Sequence, residues 1–125
     1  MAMGLEISKR VVNGVTIVDL QGRATIGENT DKLDHALRKL VADGTLNILM
    51  NLAQVTMMDS SGIAAMVGTY VSLIRGGGSL KLSRPSARVR EVLRAMRLLD
   101  SIPTFDNETE ALNSFGSTAQ SASSQ

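Results

Sequence analysis

Met57-Met58-Asp59-Ser60-Ser61-Gly62-Ile63-Ala64 joins an apolar run of strand character to one of helical character, and its reading decides the fold. The strand-like run is Ile48 to Leu52 with a short continuation; the helix-like run is Ile63 to Ile74. An acid and two hydroxyls at such a junction lie at a helix N-terminus. There the free backbone N–H groups and the positive dipole end favour negative charge. The junction therefore serves as an ordinary cap, or as a place where phosphate arrives or is attached.

Upstream, Leu5-Glu6-Ile7-Ser8-Lys9 alternates with period two, and Asn13-Gly14 is a strong hairpin turn before a second strand, Val15 to Leu20, ended by Gly22. The period then changes. Leu33, Leu37, Leu40 and Val41 follow helical spacing, with Gly44 just past the helix end. The run Leu46 to Leu52, interrupted by Asn47 and Asn51, reads as a buried central strand.

Downstream, Ile63, Met66, Val67, Tyr70 and Ile74 form the stripe of the second helix. Its other face carries Ala64, Ala65 and Val71 where charges are usual, so it is either buried on both sides or turned to a partner. Arg75 to Gly78 is a loop before a short strand, Ser79 to Leu82. Pro85 suits the first turn of a third helix whose stripe is Val89, Val92, Leu93 and Met96. Ile102 to Phe105 reads as an edge strand because of Pro103. Asn107 and Glu110 have capping-box spacing for a last helix ending at Phe115. One domain over residues 1–115 and a disordered Ser/Ala/Gln-rich tail over 116–125 are expected. The order β-β-α-β-α-β-α-β-α calls for right-handed crossovers and a mostly parallel sheet, an α/β fold.

Composition narrows the chemistry. With 125 residues, no cysteine and one histidine, disulfides, thiol chemistry and the usual zinc ligand sets drop out. Tyr70, Phe105 and Phe115 are the only aromatics, too few for the stacking platforms of single-strand nucleic-acid binding. The seven methionines then read as core fillers. Arg84, Arg88, Arg90, Arg94 and Arg97 stand against Glu91 alone, either a solvated face or a docking surface for an acidic partner. Gly62 to Ile74 is too short an apolar stretch to span a bilayer, and the start of the chain lacks the apolar core of a signal peptide; a cytoplasmic protein is expected.

The catalytic readings of the junction fail on spacing. No glycine leads Asp59-Ser60-Ser61-Gly62 as a nucleophile elbow requires, and His35, beside Asp34 and Arg38 on the first helix, is the only imidazole. Gly76-Gly77-Gly78 opens a strand, not the helix of a phosphate-binding loop. Asp59 as a phosphoryl acceptor would need an acidic cluster for Mg²⁺, and residues 5–22 offer only Glu6 and Asp19 at alternating positions. A serine phosphorylated by a separate kinase, or a simple cap, survives.

From Leu5 to Phe115 the chain resembles the STAS domain of bacterial anti-sigma factor antagonists. The matching features are Val15-to-Asp19 ending in Leu20-Gln21-Gly22, Asn51-Leu52, Met58-Asp59-Ser60-Ser61-Gly62-Ile63, the Arg75-to-Leu80 turn and the Val89-to-Leu99 helix. The resemblance implies a mixed, mostly parallel sheet of four to five strands with helices mainly on one face. It implies no enzyme activity and no cofactor, and Ser61 as the phosphorylated residue, with Ser60 the alternative. Implied partners are an anti-sigma factor of the GHKL serine-kinase type, bound when Ser61 is unmodified, and a PP2C-like phosphatase, with no nucleic acid and no membrane. The docking residues are then Thr25, Asp59, Ser60, Gly62, Ile63, Ala64 and Ala65. Many members carry an acid shortly after the glycine of the second strand; here Thr25 stands near its place and Glu28 is the next acid. The same domain also serves as an accessory subunit of lipid-transport ATPases and as a scaffold in stress-sensing assemblies.

Overall fold

The computed structural model describes residues 4–123, with side chains described as far as Phe115. Its elements are β1 (Leu5–Val12), β2 (Val15–Ala24), α1 (Glu28–Ala42), β3 (Asn47–Met58), α2 (Ser60–Arg75), β4 (Ser79–Ser83), α3 (Ala87–Ala95), β5 (Thr104–Phe105) and α4 (Glu108–Ser123). The strands form one sheet in sequence order, with β1 antiparallel to β2 and every later pair parallel. The expected mixed, mostly parallel sheet is present with five strands.

Alternation along the strands builds two unequal cores. Val18, Leu20, Ile48, Met50, Leu52, Leu80 and Leu82 face α1, α2 and α3, where Leu33, Leu37, Met66, Val89 and Leu93 complete the packing. The intervening Val15, Ile17 and Leu49 face the other way and meet Ala111 and Phe115 of α4. Three helices thus cover one face and α4 covers part of the other.

Polar contacts hold α4 as well. Arg10 on β1 bridges Asp19 on β2 (2.7 Å) and Glu108 (2.6 Å), and Lys81 on β4 donates to Ser114 Oγ while lying 4.6 Å from the Phe115 ring centroid.

Several local details depart from the sequence reading. The strand read as Leu46 to Leu52 with a short continuation is β3, Asn47–Met58, and it reaches Met58 because β2 also continues past its glycine, through two register shifts, to pair Arg23 with Met57 and Ala24 with Met58. Pro85 lies outside α3, one residue before the N-cap Ser86, whose Oγ accepts from Val89 N. In α2 the inward position of the last turn belongs to Leu73, 2% exposed, and Ile74 is 50% exposed. Met50, Met58 and Met66 fill the core, but Met96 stands half in solvent. The last helix, expected to end at Phe115 before a tail over 116–125, runs on to Ser123, and residues 124–125 lie outside the described residues. Gly78 shows why the triple glycine is a turn: a Cβ there would lie 2.0 Å from Leu46 O, on the path β4 takes into the sheet.

One buried group in this scaffold has no partner. Ser83, at the end of β4, is fully buried, and among the described residues its hydroxyl makes no hydrogen bond. Burying an unpaired hydroxyl costs about 1–3 kcal/mol. Ser83→Ala is therefore expected to leave the urea unfolding midpoint unchanged or raise it; a clear fall would show that the hydroxyl is bonded in solution.

Candidate functional site

The parallel strands β2 and β3 end side by side, and the loop after β2 meets the start of α2 there. Asp59 is the N-cap of α2 with extended backbone. Its Oδ1 accepts from Ser61 N (2.9 Å), Gly62 N (3.2 Å) and the Ser61 hydroxyl (2.6 Å). Its Oδ2 accepts from Ile26 N in the β2–α1 loop at 2.8 Å. The Asp59 N–H in turn donates to Ala24 O. One carboxylate thus ties the first turn of α2 to the end of β2.

These bonds hold the Asp59 carboxyl below the usual carboxylate range. The Ser61 hydroxyl contributes most, partial burial opposes it, and the N–H groups of Ile26, Gly62 and Ser61 add to the lowering. Asp19 is lowered too, chiefly by Arg10, against some burial, with a further bond from Asn51. A carboxyl depressed in the folded state stabilises it fully above the unfolded value, near 3.8 here, and the contribution is lost as pH falls through the folded value. The urea midpoint is accordingly expected to fall as pH drops below about 4. Asp59→Asn should make that acid limb shallower; an unchanged limb would contradict the role of the cap.

Gly62 is required by packing. A Cβ there would lie 2.5 Å from Ala24 O and 3.1 Å from Ala24 Cβ, so only glycine lets α2 start this close to β2.

The residues expected at a docking surface divide by burial. Ser60 and Ala64 are exposed, and Thr25, Asp59 and Ser61 are partly so. Gly62, Ile63 and Ala65 are not available: they are buried, Ile63 at 2% and Ala65 at 8% exposure, because α2 turns that side to the sheet and α1. The outer side of α2 instead presents Ser60, Ala64, Gly68, Val71 and Ile74, with no charge before Arg75.

Sequence reasoning missed Ile26. It is the most exposed large apolar residue of the described chain, at 81%, and its backbone is bound to Asp59. The available signal was an isoleucine between Thr25 and Gly27 in a connection too short to fold back over it.

Elsewhere, Arg90 pairs with Asp106, while Arg84, Arg88, Arg94 and Arg97 are exposed. His35 is also exposed. Among the described residues no group of three or more His, Asp or Glu is placed to hold a metal ion, and no helix is long and apolar enough to cross a membrane.

A five-stranded mixed sheet with a β2–α1 loop bound to an N-capping Asp-Ser-Ser-Gly turn defines a small class of α/β domains. The model of the STAS domain matches residues 6–111, and the chain belongs to that family. It is similar to the anti-sigma F factor antagonist of Paenibacillus polymyxa, 28% identical over 115 residues, covering 88% of this chain and 94% of that protein. In fold it resembles an anti-sigma factor antagonist from Mycobacterium paratuberculosis (TM-score 0.81, 20% identity, 91% and 96% of the two chains). It also resembles the anti-sigma factor antagonist SpoIIAA in its unphosphorylated form (0.78, 21%, 90% and 97%). SpoIIAA of Bacillus in the phosphorylated form matches as well (0.71, 20%, 88% and 99%).

Proposed function

We propose that this protein is an anti-sigma factor antagonist, a binding protein and not an enzyme, that acts in the cytoplasm by partner switching. Unmodified, it binds an anti-sigma factor of the GHKL serine-kinase type and frees the sigma factor. Phosphorylation of Ser61 releases the complex, and a PP2C-like phosphatase restores binding.

The observation that carries this reading is the placement of Ser61. It lies in the first turn of α2, partly exposed, beside the uncharged outer face of that helix, with its hydroxyl held by Asp59 at 2.6 Å. That bond uses the hydroxyl's one proton and leaves its oxygen lone pairs for attack. In the transfer the Oγ–P bond forms, the bond from the γ-phosphorus to its bridging oxygen breaks, ADP leaves, and the hydroxyl proton passes to a base. The relative from Paenibacillus, an anti-sigma F factor antagonist, and the two SpoIIAA forms support the reading.

Electrostatics supports it too. The added group brings ~1.5–2 negative charges to a helix N-terminus, where the dipole tolerates them. The fold is kept and the docking surface changes. Ser60, exposed but without that bond to Asp59, is the less suited acceptor.

The test is intact mass after incubation with ATP and the candidate anti-sigma kinase, with Ser61→Ala as control. The parent is expected to gain the mass of one phosphate and the variant none. An unmodified parent, or an equally modified variant, would overturn the assignment.

A further inference from the structure

α3 and the turns on either side of it carry five arginines against one acid, Glu91, in a chain whose formal net charge is +1. Arg90 is half-buried and fastens the helix to Asp106 at 3.1 Å. Arg84, Arg88, Arg94 and Arg97 are exposed, and among the described residues their side chains have no hydrogen-bond or ion-pair partner. Arg88, Glu91 and Arg94 follow one another at three-residue spacing along the outer side of the helix. Ala87 and Ala95, exposed on the same side, leave them uncovered. The face thus places two cations on each side of a single anion.

Two of these arginines occupy backbone that arginine does not suit. Arg84 has φ 53° and Arg97 φ 60°, the left-handed region where a Cβ is crowded and glycine or asparagine is usual. The third such residue, Asn13, is of the usual kind. Arg97 ends α3: its N–H donates to Arg94 O and the Leu98 N–H to Leu93 O, both at 2.9 Å, in a turn that commonly takes glycine there. Arg84 is fixed by its N–H, which donates to Phe105 O at 2.8 Å. The fold uses the left-handed turn at both places but makes no contact with either guanidinium. Arginine at both ends of α3 therefore costs the fold something, which points to a use of the side chains outside it.

Unpaired guanidinium groups suit carboxylates and phosphates alike, through bidentate hydrogen bonds. Glu91 decides between the sources. A nucleic-acid backbone or an anionic bilayer presents negative charge throughout and is repelled at the middle of the face. A protein surface can set carboxylates against the four arginines and a cation against Glu91. We infer that the outer face of α3, with its two flanking turns, docks an acidic protein segment whose carboxylates flank a central basic side chain. This surface belongs to α3 and not to α2, and the inference does not rest on the phosphoacceptor reading of Ser61.

Two synthetic helical peptides test it against the full chain by fluorescence anisotropy. One carries two glutamates on either side of a lysine; the other has glutamate in the lysine's place. The protein is expected to bind the lysine-centred peptide at least about tenfold more tightly than the all-glutamate one, and Glu91→Lys to reverse that order. Arg88→Glu should weaken the lysine-centred peptide at least about tenfold, while Arg75→Glu, the same change of net charge on α2, keeps its affinity within about twofold. Arg97→Gly separates binding from folding. Its urea midpoint is expected to hold or rise, because glycine suits the turn, while its affinity for the peptide falls at least about threefold.

A protein that binds neither peptide, or does not prefer the lysine-centred one, overturns the inference. So does equal affinity for duplex DNA or for phosphatidylglycerol vesicles, an Arg75→Glu loss as large as that of Arg88→Glu, or an Arg97→Gly protein that keeps the parent's affinity.

Discussion

Ser61→Asp is expected to fold as the parent does and to bind the anti-sigma partner at least about a hundredfold more weakly, as when a charge is forced into a complementary surface. The fold survives because the substitution falls within the first turn of α2, where a carboxylate meets the positive end of the dipole, an effect worth about 0.3–1 kcal/mol. Proximity to Asp59 offsets part of that gain. Binding fails because the charge stands beside the surface formed by Ser60 and Ala64, which is uncharged in the parent. Ser61→Ala, which cannot take phosphate, is expected to bind the partner constitutively, even after incubation with kinase and ATP. Circular dichroism separates the alternatives: an unfolded Ser61→Asp protein would contradict a switch that acts locally.

Gly62→Ala is expected to lower stability by about 2–3 kcal/mol, the range for overpacking a site that cannot yield. Alanine in a helix interior is ordinarily favoured over glycine by about 1 kcal/mol. Here the new Cβ would sit 2.5 Å from Ala24 O, a backbone atom of β2 that already accepts from Asp59 N at 3.2 Å. Either α2 moves off the strand end or the strand end moves, and both disturb the bonds from Asp59 to Ile26. Partner binding should fall together with the urea midpoint. Gly68→Ala, two turns along the same helix, is the control: its Cβ would meet nothing within 4 Å, so a gain of about 0.5–1 kcal/mol is expected. Opposite signs at the two glycines would establish that close approach, not glycine content, shapes this helix.

The element order was legible because its signals are local. Asn13-Gly14, the change from period two to helical spacing after Gly22, and a small polar turn between two apolar runs each act over a few residues. That this turn starts a helix followed from position; that Asp59, and not a serine, is its cap is seen in the bonds to Ser61 and Gly62. What was not legible depends on neighbours distant in sequence. The extension of β3 to Met58 needs the irregular pairing with β2 beyond Gly22, which no periodicity announces. The phase of α2 is set by contact with the sheet and α1, and this decides that Ala65 and Leu73 go in while Ala64 and Ile74 stay out. The exposure of Ile26 runs against its hydrophobicity. It follows from Asp59 holding the loop, a contact across 33 residues.

Phosphate on Ser61 is expected to remove partner binding without unfolding the domain. Isothermal titration of the anti-sigma partner into the unmodified protein and into the protein carrying phosphoserine at 61 tests it most directly. Saturable binding of the unmodified form and no measurable heat with the folded phosphorylated form is the predicted result. Equal affinity for both forms would contradict it.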